Sequence, residues 1–216
     1  MTLREEAARP RGGNAKVSRE DWLAAAERVL VAEGVSAIKV MGLAARLGVS
    51  RSSFYWYFGS RDDLLEQLLE AWERRNTRAL VEHAARPAGS ICEGVMNVFE
   101  CWIDPAAFDP ALDFAVREWA RRDPGVRARV EEADERRVAA LRSMFSRHGY
   151  EATEAFIRAR VVYFMQIGYY ALVEHEPIET REGYLRPYLA SFTGAEPTAE
   201  ELAAFRARAR ALLARG

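Results

Sequence analysis

A short segment of the sequence, GVSRSSFYWYFGSR, concentrates side chains that can bind a polyanion. Arg51 offers a guanidinium fork that matches two acceptors on the edge of a guanine base. Ser52 and Ser53 can donate hydroxyl hydrogen bonds to bases or phosphates, and Tyr55 or Tyr57 can reach a phosphate oxygen. These residue types at this spacing predict contact with a nucleic acid.

A short helix must position these groups. Ser50 has the chemistry of an N-cap, and Gly59 followed by Ser60 stops the helix. At 100° per residue Phe54 and Phe58 share one face, which we expect to be buried. The opposite face would then carry Arg51, Ser52, Tyr55 and Trp56. Backbone N–H groups at the next helix start, near Ser60, also suit a phosphate.

Another short helix, predicted over residues 40–47, comes directly before this one and is broken by Gly48. Two short helices joined by a tight glycine turn form a helix-turn-helix. The alternative interpretation of the five consecutive aromatic residues is a core cluster at a junction between helices. Phe54 and Phe58 fit that alternative, whereas Trp56 fits either one.

The charge distribution favours contact at the N-terminal end. The net charge of the 216 residues is only -1. Residues 1–61 carry ten Lys and Arg against six Asp and Glu, a charge of +4, and the remainder carries 21 against 26, a charge of -5. A basic front end on an acidic body predicts nucleic-acid contact confined to the front, and ordinary charge scatter is the alternative.

The composition predicts an all-α protein. Ala, Arg, Glu and Leu dominate, β-branched residues are sparse, and no strand alternation is visible. Apolar positions at helical spacing predict helix after helix to residue 213, the last of them capped by Thr198 with Glu201. The charged N-terminus and the lack of a long apolar run predict a cytoplasmic protein without membrane spans.

Residues 24–72 resemble the N-terminal domain of the tetracycline-repressor (TetR) family. Leu43-Ala44 stand at the family's Ile-Ala, Gly48-Val49-Ser50 match its Gly-Val-Ser, the aromatic row matches its aromatic block, and Ser60-Arg61 stand at its Ser-Lys. The resemblance implies a dimeric, ligand-responsive transcriptional repressor that binds double-stranded operator DNA. It also implies that Tyr55 touches a phosphate and that Arg61 takes the lysine role on the DNA backbone.

The sequence departs from the family pattern at Lys39, which replaces a capping Thr or Ser, and at Tyr57, which replaces a His. Gly42 also weakens the second helix by about 1 kcal/mol relative to Ala. Lys39 can contact a phosphate instead of capping. The predicted DNA contacts are Lys39, Ser50, Arg51, Ser52, Ser53, Tyr55, Trp56, Tyr57, Ser60 and Arg61.

The domain organisation predicted from these features has three parts. Residues 1–17 form a flexible basic arm, residues 18–60 the helix-turn-helix DNA-binding domain, and residues 61–216 a helical effector-binding and dimerisation domain. Large, soft side chains in the last part suit a small apolar effector, although each of them could equally belong to a packed core. The candidate ligand-binding residues are Met96, Phe99, Trp102, Phe114, Trp119, Tyr163 and Met165.

The segment VVYFMQIGYYALV has apolar side chains all round a helix, so we expect it to be buried on two sides. One side would face the subunit core and the other a second copy, together with the stripe of YLRPYLASF. The resemblance implies a four-helix dimer interface here. The candidate interface residues are Tyr169, Leu172, Tyr184, Leu185, Tyr188, Leu189 and Phe192. Pro187 predicts a kink or an early end of its helix.

Two other classes of protein, an enzyme and an architectural DNA-binding protein, are the alternatives to a regulator. An enzyme needs a nucleophile with a base and an orienting group, a phosphate loop or a metal motif, and none of these is present in the sequence. An architectural DNA-binding protein without an effector would be basic throughout. No cofactor is expected, and only Glu174-His175-Glu176 gathers metal-ligand types. Asp113 and Arg117 are spaced to pair on a surface, and Cys92 and Cys101 are expected to be buried, inert thiols.

Overall fold

The computed structural model describes residues 17–172 and 177–214, apart from the side chains of residues 178 and 179. Every regular element in these ranges is helical, which confirms the all-α prediction. The α-helices are α1 (Arg19–Glu33), α2 (Val40–Leu47), α3 (Arg61–Trp72), α4 (Arg78–Ala85), α5 (Ile91–Ile103), α6 (Pro110–Ala120), α7 (Pro124–Arg147), α8 (Ala152–Ala171), α9 (Ile178–Thr193) and α10 (Ala199–Leu213). Along these ranges no helix is both long and apolar enough to cross a membrane.

Local sequence explains where the first and last of these helices begin. The Ser18 side chain accepts a hydrogen bond from the Asp21 backbone N–H, and the Asp21 carboxylate accepts one from the Ser18 N–H in return. Thr198 and Glu201 make the same reciprocal pair at the start of α10, as predicted. These capping boxes satisfy N–H groups that a helix start otherwise leaves without partners.

The recognition segment is a 3₁₀-helix, Arg51–Trp56, and not the α-helix assumed from 100° spacing. Its closing bonds run from the Ser53 N–H to the Ser50 carbonyl (3.1 Å) and from the Tyr57 N–H to the Phe54 carbonyl (3.0 Å). Winding of this kind is common in pieces too short to build an α-helical ladder. Gly48 ends α2 in the left-handed conformation at φ 67°, where a side chain would be strained.

One hydrophobic cluster, the N-terminal core, holds α1, α2, the 3₁₀-helix and α3 together and extends onto α6 and α7. Its largest fully buried side chains are Trp22, Phe54, Phe58 and Trp72. Leu112 and Val116 of α6 belong to the same cluster. Packing is therefore continuous across residue 60, and the division between a DNA-binding domain and a body at that residue stays a prediction.

A second cluster, the body core, lies among α4, α5, α7, α8, α9 and α10. Leu185, Leu189 and Phe192, predicted for the dimer interface, are buried in it. They point inward because α9 packs its apolar stripe against α5 and α8. Pro187 lies inside α9 without ending it, which corrects the expected early stop.

A buried polar network connects α3 to the body. The Trp72 indole N–H donates to Asp113 Oδ1 (2.8 Å), and so does the Arg137 guanidinium (2.9 Å). Arg117 donates to Asp113 Oδ2 (2.9 Å) and to both carboxylate oxygens of Asp134 (2.9 and 2.6 Å). The Tyr163 hydroxyl accepts from Arg137 and donates to Asp134 (2.6 Å).

This network corrects the expectation that Asp113 and Arg117 pair on a surface. Asp113 and Arg137 are both fully buried. Burial by itself raises the pKa of Asp113, but the charges of Arg137 and Arg117 and their hydrogen bonds outweigh it and lower that pKa. The i, i+4 spacing identified the Asp113–Arg117 pair correctly, whereas the second arginine comes from a distant part of the chain.

Candidate DNA-binding surface and body cavity

The 3₁₀-helix presents the predicted polar and aromatic side chains to solvent. Arg51 and Ser52 are exposed, and Tyr55 and Trp56 are 48% and 71% exposed. An Arg51 guanidinium N–H donates to the Tyr55 hydroxyl (3.0 Å), and the guanidinium carbon lies 5.7 Å from the centre of the Tyr55 ring. Guanidinium and phenol therefore form one outward-facing pair, which could hydrogen-bond to both bases and phosphates.

Aromatic packing anchors this helix from below. Phe54 meets Trp22 of α1 edge to face, with ring centres 5.3 Å apart, and stacks on Phe58 at 5.1 Å. Such pairs contribute about 0.5–1.5 kcal/mol beyond the burial of their area. Phe54 and Phe58 are therefore buried, and Tyr55 and Trp56 are exposed, as predicted.

Ser53, Tyr57 and Arg61, which are also predicted to contact DNA, donate to backbone carbonyls of the protein. The Ser53 hydroxyl donates to the Ser50 carbonyl (2.7 Å), and the Tyr57 hydroxyl donates to the Val17 carbonyl (2.9 Å). Arg61 donates to the carbonyls of Ile38 (2.7 Å) and Val35 (2.8 Å). Arg61 thus supports the turn between α1 and α2. This role was not predicted, because it depends on backbone carbonyls that are distant in the sequence.

The remaining predicted contacts border the exposed pair. Lys39 is exposed at the N-cap of α2 and its side chain makes no cap bond, in keeping with the departure from a capping Thr or Ser. The hydroxyls of Ser50 and Ser52 are 2.8 Å apart. The Ser60 hydroxyl accepts from the Asp63 N–H (3.1 Å) and so caps α3.

A cavity of about 200 Å³, named here the body cavity, lies between α5, α8, α9 and α10. Phe99, Trp102 and Met165, three of the predicted ligand-binding residues, line it. The cavity also receives aromatic side chains that were predicted for the dimer interface. These are Tyr169, Tyr184 and Tyr188, together with Leu185.

The other predicted ligand-binding residues lie elsewhere. Met96 is packed in the body core, and Tyr163 belongs to the buried polar network. Trp119 is buried in the N-terminal core, and Phe114 is half-buried on α6. The lining also includes α10, for which no site residue was predicted and which supplies Phe205, Arg206, Ala209, Arg210 and Leu213. The apolar stripe of α10 was visible as an amphipathic pattern, but its partner was not.

Both cysteines are buried and free. Burial raises the pKa of the Cys101 thiol to about 12 and also raises that of Cys92. These directions disfavour the reactive thiolate. The Glu174-His175-Glu176 cluster lies outside the described residues, as do residues 1–16 of the predicted arm. The described residues contain no group of three His, Cys, Asp or Glu side chains arranged to hold a metal ion.

An exposed 3₁₀-helix on a helix-turn-helix, joined to a helical body that contains a cavity, is an arrangement typical of helix-turn-helix transcriptional regulators. Residues 23–68 match the family model described as "Bacterial regulatory proteins, tetR family". This match falls on the residues that carry the predicted resemblance and confirms it. A comparison with curated proteins found no match.

Several solved structures share the fold over most of the chain. A TetR-family transcriptional regulator from Marinobacter aquaeolei VT8 is 16% identical with a TM-score of 0.63, covering 91% of this chain and 98% of that one. Escherichia coli NemR in its reduced form is 19% identical with a TM-score of 0.61, covering 83% and 99%. Bacillus subtilis FadR in complex with stearoyl-CoA is 15% identical with a TM-score of 0.52, covering 91% and 98%.

Proposed function

We propose that the protein is a dimeric, cytoplasmic transcriptional repressor that leaves its operator when a small, largely apolar effector binds. It would act by binding and not as an enzyme. The exposed Arg51–Tyr55 pair, held outward by buried Phe54, is the observation that carries the DNA-binding part. The TetR-family match over the same residues supports it. The body cavity and the complex of FadR with stearoyl-CoA support the effector.

The recognition helix would enter the major groove, which is about 12 Å wide. Small Ser50 and Ser52 let its backbone approach, and Arg51 would exchange its bond with Tyr55 for a bidentate pair with a guanine. Tyr55 is then released to a phosphate oxygen. Lys39 at one side and the N–H groups at the start of α3 at the other would fix the position on the backbone.

We expect the Arg51→Ala variant to lose about 1–3 kcal/mol of binding free energy on the best site and to relax base preference there. The test is a fluorescence-anisotropy titration on a duplex selected from a random pool with the wild-type protein. Arg28→Ala removes the same charge from an exposed position of α1 and should leave base preference unchanged. Equal base preference in wild-type protein and Arg51→Ala would rule out Arg51 as a base-reading residue.

A row of exposed apolar side chains on α8 supports the dimer. Ile157, Val161 and Phe164 are exposed at spacings that keep them on one face of α8, Gly168 lies in the same row, and exposed Leu172 at the C-cap continues it. The inward face of α8 carries Ala159, Val162 and Tyr163, buried in the body. The expectation of a helix with apolar residues on two sides therefore fits α8. We propose the outer row as the centre of the dimer face.

We expect the Val161→Glu variant to dissociate to monomers at concentrations where the wild-type protein is dimeric, because an unpaired carboxylate would be buried at the interface. Sedimentation equilibrium measures this. Val31→Glu is the matched control, since Val31 on α1 is 41% exposed and Val161 is 48% exposed. A Val161→Glu protein that stays as dimeric as Val31→Glu would exclude this face.

Effector release follows from differential affinity for two dimer states. Two recognition helices of a dimer bind half-sites about one helical turn, or a multiple of it, apart. An effector that binds more tightly to a dimer whose recognition helices have a different spacing stabilises that dimer. Operator affinity then falls, at most by the ratio of the effector's affinities for the two states. α8 is suited to transmit this change, since it carries the proposed dimer face, part of the cavity wall and Tyr163 of the buried polar network.

A further inference from the structure

Most of the charged side chains in the described lining of the body cavity are positive. Its wall is mostly apolar and aromatic, and in it Phe99 packs against Trp102 and Phe205. The charged residues in its described lining are three arginines and one glutamate, namely Arg181, Arg206, Arg210 and Glu182. An apolar cavity whose charged lining is predominantly cationic favours an occupant with the opposite sign of charge.

The one carboxylate of the lining is already satisfied. Arg210 donates to both Glu182 oxygens, at 3.0 and 2.8 Å, and this hydrogen bonding lowers the pKa of Glu182. Arg206 reaches only the backbone carbonyl of Glu182, at 3.2 Å. Arg206 forms no salt bridge among the described ion pairs, although its positive charge contributes to the lowered pKa of Glu182.

Arg206 also has an unsatisfied donor. Its Nε–H is buried and has no hydrogen-bond partner within residues 17–172 and 177–214. A buried donor without an acceptor is destabilising, and a guanidinium donor more so than a neutral one. Arg206 is half-buried on α10 and contributes to the wall of the cavity.

We propose that the body cavity binds an amphipathic organic acid, with an apolar ring system among the aromatic side chains and its carboxylate on Arg206. The proposal deepens the proposed function, on which it rests for the role of that acid as effector. A charge-assisted bond from a guanidinium to a carboxylate is among the strong hydrogen bonds of proteins. Arg181, which lies 5.4 Å from the Tyr169 ring centre, adds positive charge at the same cavity.

The size of the cavity limits the apolar part of the acid. An engineered cavity of about 150 Å³ in another protein holds benzene. A cavity of about 200 Å³ therefore suits one ring or two fused rings. The probe chosen is 2-naphthoate, which is ionised at neutral pH, and its neutral partner of equal shape is 2-naphthamide.

The experiment is isothermal titration calorimetry of the full chain at pH 7 with both probes. We expect the acid to bind at least about tenfold more tightly than the amide, as a charge-assisted hydrogen bond implies. Arg206→Gln should reduce the affinity for the acid to that for the amide. Arg208→Gln, the same change two residues along α10, removes a guanidinium that pairs with Glu100 and should preserve the preference.

The ratio of the two affinities in the wild-type protein tests the proposal even if Arg206→Gln does not fold. Equal affinity of acid and amide, or binding of neither, overturns it. An acid preference that survives in a folded Arg206→Gln also overturns it. Operator titrations with and without 2-naphthoate test the proposed function separately. If the acid binds but does not release DNA, control by this effector is wrong. If the protein binds DNA but not the acid, only the proposed ligand class is wrong.

Discussion

Unfolding of the Asp113→Asn variant should require about 3–5 kcal/mol less free energy than unfolding of the wild-type protein, as is typical when one partner of a buried ion pair is removed. Arg137 is fully buried and donates to Asp113, and Arg117 donates to the other oxygen of the same carboxylate. The amide keeps the shape of the side chain but leaves the buried Arg137 with only its longer ion pair to Asp134, at 3.8 Å. Urea unfolding followed by circular dichroism measures the difference.

Two further variants make this prediction specific to buried charge. Glu82→Gln breaks the exposed Arg78–Glu82 pair and should change the free energy of unfolding by less than about 1 kcal/mol. Asp113→Leu combined with Arg137→Met removes both charges and should recover part of the loss. A change below about 1 kcal/mol in Asp113→Asn would show that the network does not depend on this carboxylate.

The same carboxylate predicts a dependence of stability on pH. The pKa of Asp113 is lowered in the folded protein, so its contribution to stability is fully present above the unfolded value near 3.8. That contribution is lost as the pH falls through the lowered folded pKa. Acid titration of stability should therefore be steeper in the wild-type protein than in Asp113→Asn below about pH 4.

The Phe54→Ala variant should lose both stability and DNA binding. Truncation of a fully buried phenylalanine lowers the free energy of unfolding by about 3–5 kcal/mol. Phe54 contacts Trp22 and Phe58 and is the anchor of the 3₁₀-helix. Without this ring, only a minor fraction of the molecules would hold Arg51 and Tyr55 outward. The apparent operator affinity falls in proportion to that fraction. We expect operator affinity to fall by more than about tenfold, or 1.4 kcal/mol.

Phe145→Ala is the matched control for this effect. Phe145 is equally buried but belongs to the body core, so its truncation should cost similar stability and leave operator affinity near the wild-type value. Both titrations belong at a temperature where circular dichroism shows the variants folded. Wild-type operator affinity in a folded Phe54→Ala protein would mean that the ring does not position the recognition helix.

The N-terminal part of the fold could be predicted because its determinants are close in sequence. Ser18, Gly48 and Ser60 cap or end their helices with neighbouring groups. Phe54 and Phe58, four residues apart, share a buried side in the 3₁₀-helix and its following turn, so the assumed α-helical spacing still identified the correct face. The family-model match over residues 23–68 confirms the family resemblance that was predicted for the helix-turn-helix.

The body could not be predicted to the same depth, because its helices all carry apolar stripes of similar character. Leu185, Leu189 and Phe192 looked like an interface and are core, whereas Val161 and Phe164 point outward. Helical periodicity shows that a face is apolar, but it does not say which helix covers it.

Sequence alone therefore determined the all-α class, the helix-turn-helix and the residues that it exposes, since capping and short-range periodicity act within a few positions. Tertiary structure alone decided that Arg137 reaches Asp113 from 24 residues away and that α10 closes a cavity with α5. Pairings of this kind depend on how whole helices pack in three dimensions, where complementary shape and buried charge select one arrangement among many with the same apolar pattern.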